Sequence, residues 1–277
     1  MSSKYTDQQR PIDEGMPMER FNSGDYYLLK AFSNQTYQDQ FNSGAKIYIN
    51  PVEYFHNNGD GFQRDSEGVV FQQSAGLRGM LIFSKDKKSL DARIKEYKSN
   101  QFSPVDIVIP TTSFKFYLQG HICCFALFPK RLIQFRENTI VFAQGTEAEQ
   151  DFYAFLNGYS ESQGYSFFSF YDAQVFLTLF ERGMLQKGYS ICYGPVQYRP
   201  LDIRERIRMY QDGNIQEIIF TKDASFSYQK EFRVFVQSEE PKKGPIIESG
   251  IDLRDSVVFG GAYLNIDYIK ANNIIIP

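Results

Sequence analysis

From Tyr26 onward, apolar positions recur with a period near two or near 3.6, and the switches between those periods outline the elements. Tyr26–Phe32 is a short run of β-formers and predicts the first strand. Residues 34–41 predict a helix, with Ser33 or Asn34 as its N-cap and Gly44 beyond its end. Residues 46–50 predict a second strand, closed by Pro51. Further strands are expected at 77–83, 105–110, 113–118 and 121–128, with a charged helix over 89–99 whose Leu90, Ile94 and Tyr97 share one face. The best helical patterns cover 147–156 and 172–186. In the second, Val175, Phe176, Leu179 and Phe180 follow helical spacing behind Asp172, a good N-cap. Strands are expected again at 189–198, 215–220, 231–237 and 256–259, with a short helix near 202–210.

Residues 1–24 are polar and without periodicity, which predicts a mobile N-terminal arm. Residues 56–68 predict a long loop rich in turn residues, of a length that carries function. Neither a linker-like stretch nor a repeat divides the rest. Residues 25–277 therefore read as a single α+β domain, with mostly antiparallel sheets forming a cleft under packed helices. Strands and helices do not alternate regularly, which argues against a parallel doubly wound sheet.

Composition narrows the function classes. A formal net charge of −3 argues against a dedicated nucleic-acid coat, whose affinity comes from neutralised phosphates. Twenty-six Phe and 19 Tyr without any Trp predict a strongly aromatic core. Two His and three Cys supply too few ligands for most structural zinc sites, so no metal centre is expected. Cys123 and Cys124 are adjacent and unsuited to pairing with each other; with Cys192 they read as reduced, buried thiols. His121 and Cys123 would share a strand face, but the apolar run around them buries the thiol and argues against a nucleophile pair. The chain opens on a polar stretch, and its apolar runs fall short of the roughly 20 residues a membrane span needs. The expectation is a cytoplasmic protein without membrane contact.

No phosphate-binding loop, dinucleotide fingerprint, nucleophile elbow or His-Glu-x-x-His motif is present. The most informative segment runs from Phe220 to Val236 and passes from a polar loop into a strictly alternating strand. Phe232, Val234 and Val236 face one side of that strand, and Glu231 and Arg233 the other. If the extended backbone reaches back to Gln229, then Gln229, Glu231 and Arg233 form one polar row. A glutamate entering a strand between aromatic neighbours is partly desolvated and needs partners or a task. The partner would be a neighbouring Arg or Lys in a structural ion pair. The task would be catalysis.

Gln229-Lys230-Glu231 leading into an apolar strand resembles the Gln/Glu-x-Glu motif of the ADP-ribosyltransferase superfamily. The opening, an aromatic strand, a helix ending in Phe41-Asn42-Ser43-Gly44 and a strand Ile47-Tyr48-Ile49, is similar to the toxin-like branch of that superfamily. The chain also resembles a set of bacterial proteins that share a loop like Arg64 to Gly68 and a Phe-x-Tyr-Gln-x-Glu-[Tyr/Phe]-Arg segment, matched by Phe226 to Arg233. The resemblance implies NAD-dependent transfer of ADP-ribose to a macromolecular acceptor, protein or nucleic acid, by a bacterial toxin or anti-phage effector, with an antitoxin or defence-system partner. It implies Glu231 and Gln229 as catalytic residues. Lys30, in place of the usual Arg or His, would meet the pyrophosphate. Tyr48, Arg64, Ser166, Ser169 and Tyr171 would complete the NAD site, with aromatic rings stacking on nicotinamide or adenine. Such a site requires Lys30, Gln229 and Glu231 to converge on one cleft.

Two other classes fit the same residues. A non-enzymatic recognition module would use the long loop and aromatic surface to bind a protein or nucleic acid. An Mg²⁺-dependent nuclease would gather Asp65, Glu67 and Glu231 around a hard cation.

Overall fold

The computed structural model describes residues 20–52, 70–71, 114–115, 120–136, 139–163, 167–200, 208–209, 215–238 and 244–262. Contacts divide the chain into two compact units: residues 70–115, and the remainder. In chain order the strands are β1 (Tyr26–Phe32), β2 (Ile47–Pro51), β3 (Val70–Phe71), β4 (Phe114–Lys115), β5 (His121–Pro129), β6 (Ile133–Arg136), β7 (Thr139–Phe142), β8 (Phe167–Asp172), β9 (Tyr189–Pro195), β10 (Gln197–Arg199), β11 (Thr221–Asp223), β12 (Glu231–Ser238), β13 (Ile246–Glu248) and β14 (Val257–Ala262). The helices are α1 (Gln35–Asn42), α2 (Ala148–Gln163), α3 (Ala173–Leu185) and α4 (Ile215–Ile219). In the smaller unit the described residues are β3 and β4, an antiparallel pair.

The larger unit is α+β and mostly antiparallel, as expected. Its main sheet runs β13-β2-β5-β1-β8-β14, with β12 pairing β5 and β9 pairing β12. Strand alternation gives this sheet two apolar faces. On one, Leu28, Phe32, Cys123, Phe125, Tyr171, Phe232 and Val234 pack under α1 and α3 through Phe41, Phe176 and Phe180. On the other, Leu29, Ala31, Ala126, Phe128, Phe168 and Phe170 pack against α2 through Phe152, Phe155 and Leu156. They are called the α3 face and the α2 face below. Rings meet edge-on or stacked on both, Phe125 against Phe176 at 5.0 Å and Phe152 against Phe170 at 5.8 Å between centroids. That geometry fills the volume a Trp-free core must fill.

Local chemistry explains the helix starts. Asn34 accepts from Tyr37 N, and Asp172 accepts from the amides of Gln174 and Val175, so both predicted caps are in place. Gly44, at φ +68°, lets the end of α1 meet the chain after β13; a Cβ there would lie 2.1 Å from Ile251 O. Gly250 N donates to Gly44 O and Leu253 N to Asn42 O, which ties α1 to residues 250–253.

Several expectations change. Order begins before Tyr26: Asn22 caps the 3-10 turn Ser23–Asp25, and the Phe21 ring lies 5.1 Å from that of Phe232. The strand expected at 215–220 is the helix α4, because Ile215, Ile218 and Ile219 are spaced for a helical stripe rather than for alternation. The strand expected at 189–198 ends at Pro195, and β10 then turns away to pair in parallel with β11. The β6–β7 hairpin and β13 had no strong signal. The elements expected at 77–83, 89–99 and 105–110, and the loop 56–68, lie outside the described residues, as does most of 113–118 and 202–210.

Candidate functional site

Gln229 closes the 3-10 helix Ala224–Gln229, and Lys230 follows at φ +46°. The backbone is therefore not extended through Gln229, and strand parity does not make the polar row. The residues meet through a third group. Lys222 of β11 donates from Nζ to Gln229 Oε1 at 2.7 Å and to Glu231 Oε2 at 3.2 Å. Arg233 donates from Nε to Glu231 Oε1 at 2.8 Å and from Nη2 to Oε2 at 3.1 Å. Its Nη1 reaches Ile219 O, at the end of α4, at 2.5 Å. Glu231 N donates to Tyr198 Oη at 2.8 Å, and Lys222 Nζ lies 4.9 Å from the Phe226 ring centroid.

All four polar side chains are buried, Glu231 at 9% exposure. Burial pushes the Glu231 pKa up, but the charges of Arg233 and Lys222, with hydrogen bonds from Arg233 and Cys124, outweigh it and hold the carboxyl well below the usual range. The same carboxylate, after burial, pushes the Cys124 thiol further up. Glu231 is therefore ionised, with both oxygens engaged. Chemically the cluster is a lock: it fastens β11, the end of α4 and the 3-10 helix to the start of β12.

Lys30 is on the other face. In the register Leu29 and Glu231 both flank Ala126, whereas Lys30 lies opposite Ser169. Its Nζ contacts Cys123 Sγ at 3.5 Å and Cys124 O at 3.3 Å, with the Phe125 and Phe41 ring centroids at 4.9 and 5.3 Å. Among the described residues no carboxylate pairs with it. The single cleft joining Lys30, Gln229 and Glu231 is not formed. Adjacent residues of a strand point to opposite faces, and the register puts these two side chains one position out of phase.

Ser169 and Tyr171 accompany Lys30 on the α3 face, in a neutral network under α1. Gln38 Nε2 donates to Ser169 Oγ at 2.9 Å and to Phe168 O at 2.6 Å. Asn42 Nδ2 donates to Ser169 Oγ at 3.3 Å, and Tyr171 Oη donates to Asn42 Oδ1 at 2.6 Å. Burial raises the Tyr171 phenol well above its ordinary pKa, although Ser169 hydrogen-bonds it in the opposite sense. The Tyr171 ring is enclosed by Phe41, Phe125 and Phe176, so its faces serve the core rather than a stacked base. Tyr48 is 46% exposed on the outside of β2, beside Ile247 of β13 and 5.1 Å from Lys46 Nζ. Arg64, Asp65, Glu67 and Ser166 lie outside the described residues. No local pattern of residues pointed to Lys222 as the centre of the buried cluster, or to Gln38 and Asn42 as the supports of Ser169.

On the outer side of α1, a groove of about 480 Å³ runs between Thr36, Asp39, Gln40 and Ser43 and the segment carrying Arg254 and Val257. Arg254 is held by Asp252, whose carboxyl it lowers to a pKa of about 2. Among the described residues no helix is long and apolar enough to cross a membrane. No family model, curated protein or solved structure matches this chain.

Proposed function

We propose that the chain works as a recognition module that binds a macromolecular partner rather than as a transferase centred on Glu231. The observation that supports this reading is the closure of Glu231: an oxocarbenium-like transition state needs a carboxylate free to face the developing charge, and this one already serves two cations. Both polar clusters point into the larger unit, while the groove beside α1 and the exposed Tyr48–Ile247 pair point outward. The groove is the contact surface we assign first, because backbone hydrogen bonds between α1 and residues 250–253 preform its walls. The setting we propose for it is a bacterial defence or phage system, with a protein or nucleic-acid partner.

ADP-ribosyl transfer is the competing reading, resting on the Gln229-Lys230-Glu231 motif. It requires Glu231 to exchange Lys222 and Arg233 for the substrate. The two readings separate in one experiment on the full chain. Recognition predicts no rise in melting temperature with NAD and no release of nicotinamide. A saturable rise together with nicotinamide release would restore the enzyme, and a rise with Mg²⁺ and nucleic acid would favour the nuclease.

A further inference from the structure

The environment of Lys30 has a chemical consequence that does not depend on the recognition reading. Its ammonium lies 3.5 Å from Cys123 Sγ, against the Phe41 and Phe125 rings and without a carboxylate among the described residues. The three thiols differ in what surrounds them. Cys124 is directed to Glu231, a neighbour that disfavours its thiolate, and Cys192 is half-buried on the edge strand β9. Cys123 alone among them has a lysine nitrogen in contact; burial raises its pKa, and that nitrogen opposes the rise without cancelling it, so the sulfur enters any reaction as the thiol.

We propose that Cys123 and Lys30 form a reversible oxidative cross-link, a sulfur–nitrogen bond that staples β5 to β1 beneath α1. The oxidant is a peroxide, small and uncharged enough to reach a thiol beneath aromatic rings. In the first step the Cys123 sulfur attacks one peroxide oxygen. The O–O bond breaks, sulfur is oxidised to a sulfenic acid, and water leaves with the thiol proton. The new oxygen then lies beside the Lys30 nitrogen, which hydrogen-bonds it. In the second step the Lys30 ammonium gives a proton to solvent and its nitrogen attacks sulfur. The S–O bond breaks, the hydroxyl leaves as water with a second nitrogen-bound proton, and the S–N bond remains. The net change is the loss of two hydrogens and the ammonium proton from the protein, against one peroxide reduced to two waters. An excess of dithiol reverses it, regenerating the thiol and the amine. Reach comes from the lysine: its four-carbon stem is flexible, whereas Cys123 is fixed in the centre of the sheet. The partial exposure of Lys30 lets the released proton and water escape.

The test is treatment of the full folded chain with hydrogen peroxide, followed by tryptic digestion and mass spectrometry. The expected product is one linked pair of peptides, lighter by two hydrogens, with cleavage after Lys30 blocked and restored by dithiothreitol. Lys30→Met and Cys123→Ala should each abolish it, and Lys30→Met should leave a Cys123 sulfenic acid that a dimedone probe captures. Circular dichroism confirms that each variant is folded, and the wild-type digest decides the matter whether or not they are. Oxidation confined to Cys192, a link mapped to Cys124, or a link that retains an oxygen atom would overturn the proposal. So would dimedone labelling of Cys123 as strong in wild type as in Lys30→Met.

Discussion

Both faces of the central sheet carry polar groups inside an aromatic core, and they satisfy them differently. On the α2 face, charge meets charge: Glu231 sits between Lys222 and Arg233, with Gln229 on the lysine. On the α3 face, Ser169, Tyr171, Gln38 and Asn42 satisfy one another as neutral groups, and the cation beside them, Lys30, leans on rings, a thiol and a carbonyl. The first arrangement joins elements distant in sequence and fails badly if one partner is lost. The second is a set of neutral hydrogen bonds, each worth much less, around a charge that the fold tolerates rather than uses.

The largest effect is expected from Glu231→Gln. The substitution keeps volume but leaves two buried cations facing a neutral amide. Breaking such a cluster should cost about 3–5 kcal/mol, measured by urea unfolding. A variant as stable as wild type would remove the contrast between the faces and reopen a catalytic role for Glu231. The same carboxylate sets an acid limit. Its folded pKa lies below the unfolded one, so its contribution is complete above the unfolded value, near pH 4. That contribution declines as the pH falls toward the lower, folded value. The stability gap between wild type and Glu231→Gln should therefore be flat from neutral pH to about pH 5 and shrink only in stronger acid.

A smaller effect is expected from Tyr171→Phe. The ring and its contacts stay, but Asn42 Oδ1 loses a donor at 2.6 Å. One buried hydrogen bond between neutral groups sets the scale, about 1–2 kcal/mol by thermal or urea unfolding. A loss equal to that of Glu231→Gln would mean the neutral network is as interdependent as the charged one.

These contrasts also mark how far the residues themselves announced the structure. The alternation from Glu231 to Val236 placed Arg233 beside Glu231 and Phe232 on the opposite face, because both follow from parity within one strand. Asp172 and Asn34 were legible as caps for a similar reason: the interaction spans only two or three residues. Lys222 was not legible. It reaches Glu231 because Pro195 ends β9 and β10 carries β11 into a parallel pair, a tertiary event without a local pattern. Lys30 illustrates the limit most clearly. Its own parity within β1 was plain, but its phase against Glu231 depends on two successive registers across β5, which no single strand encodes.

The smallest effect, and the one of opposite sign, is expected from Lys30→Met. Methionine has a similar length and flexibility, so the space between Phe41 and Phe125 stays filled, and its sulfur suits contact with aromatic rings. What disappears is an ammonium whose attractions are two cation–π contacts, a long contact to Cys123 Sγ and one to Cys124 O. Each cation–π contact contributes about 0.5–1 kcal/mol where partly exposed. Against these stands the desolvation of a charge without a carboxylate, which an apolar replacement removes. The two nearly cancel, so urea unfolding should show a change within about 1 kcal/mol, and a gain is the expected direction. A loss of the size expected for Glu231→Gln would mean that Lys30 is integrated into its face as firmly as Arg233 is into the other. The distinction between a used and a tolerated charge would then be wrong.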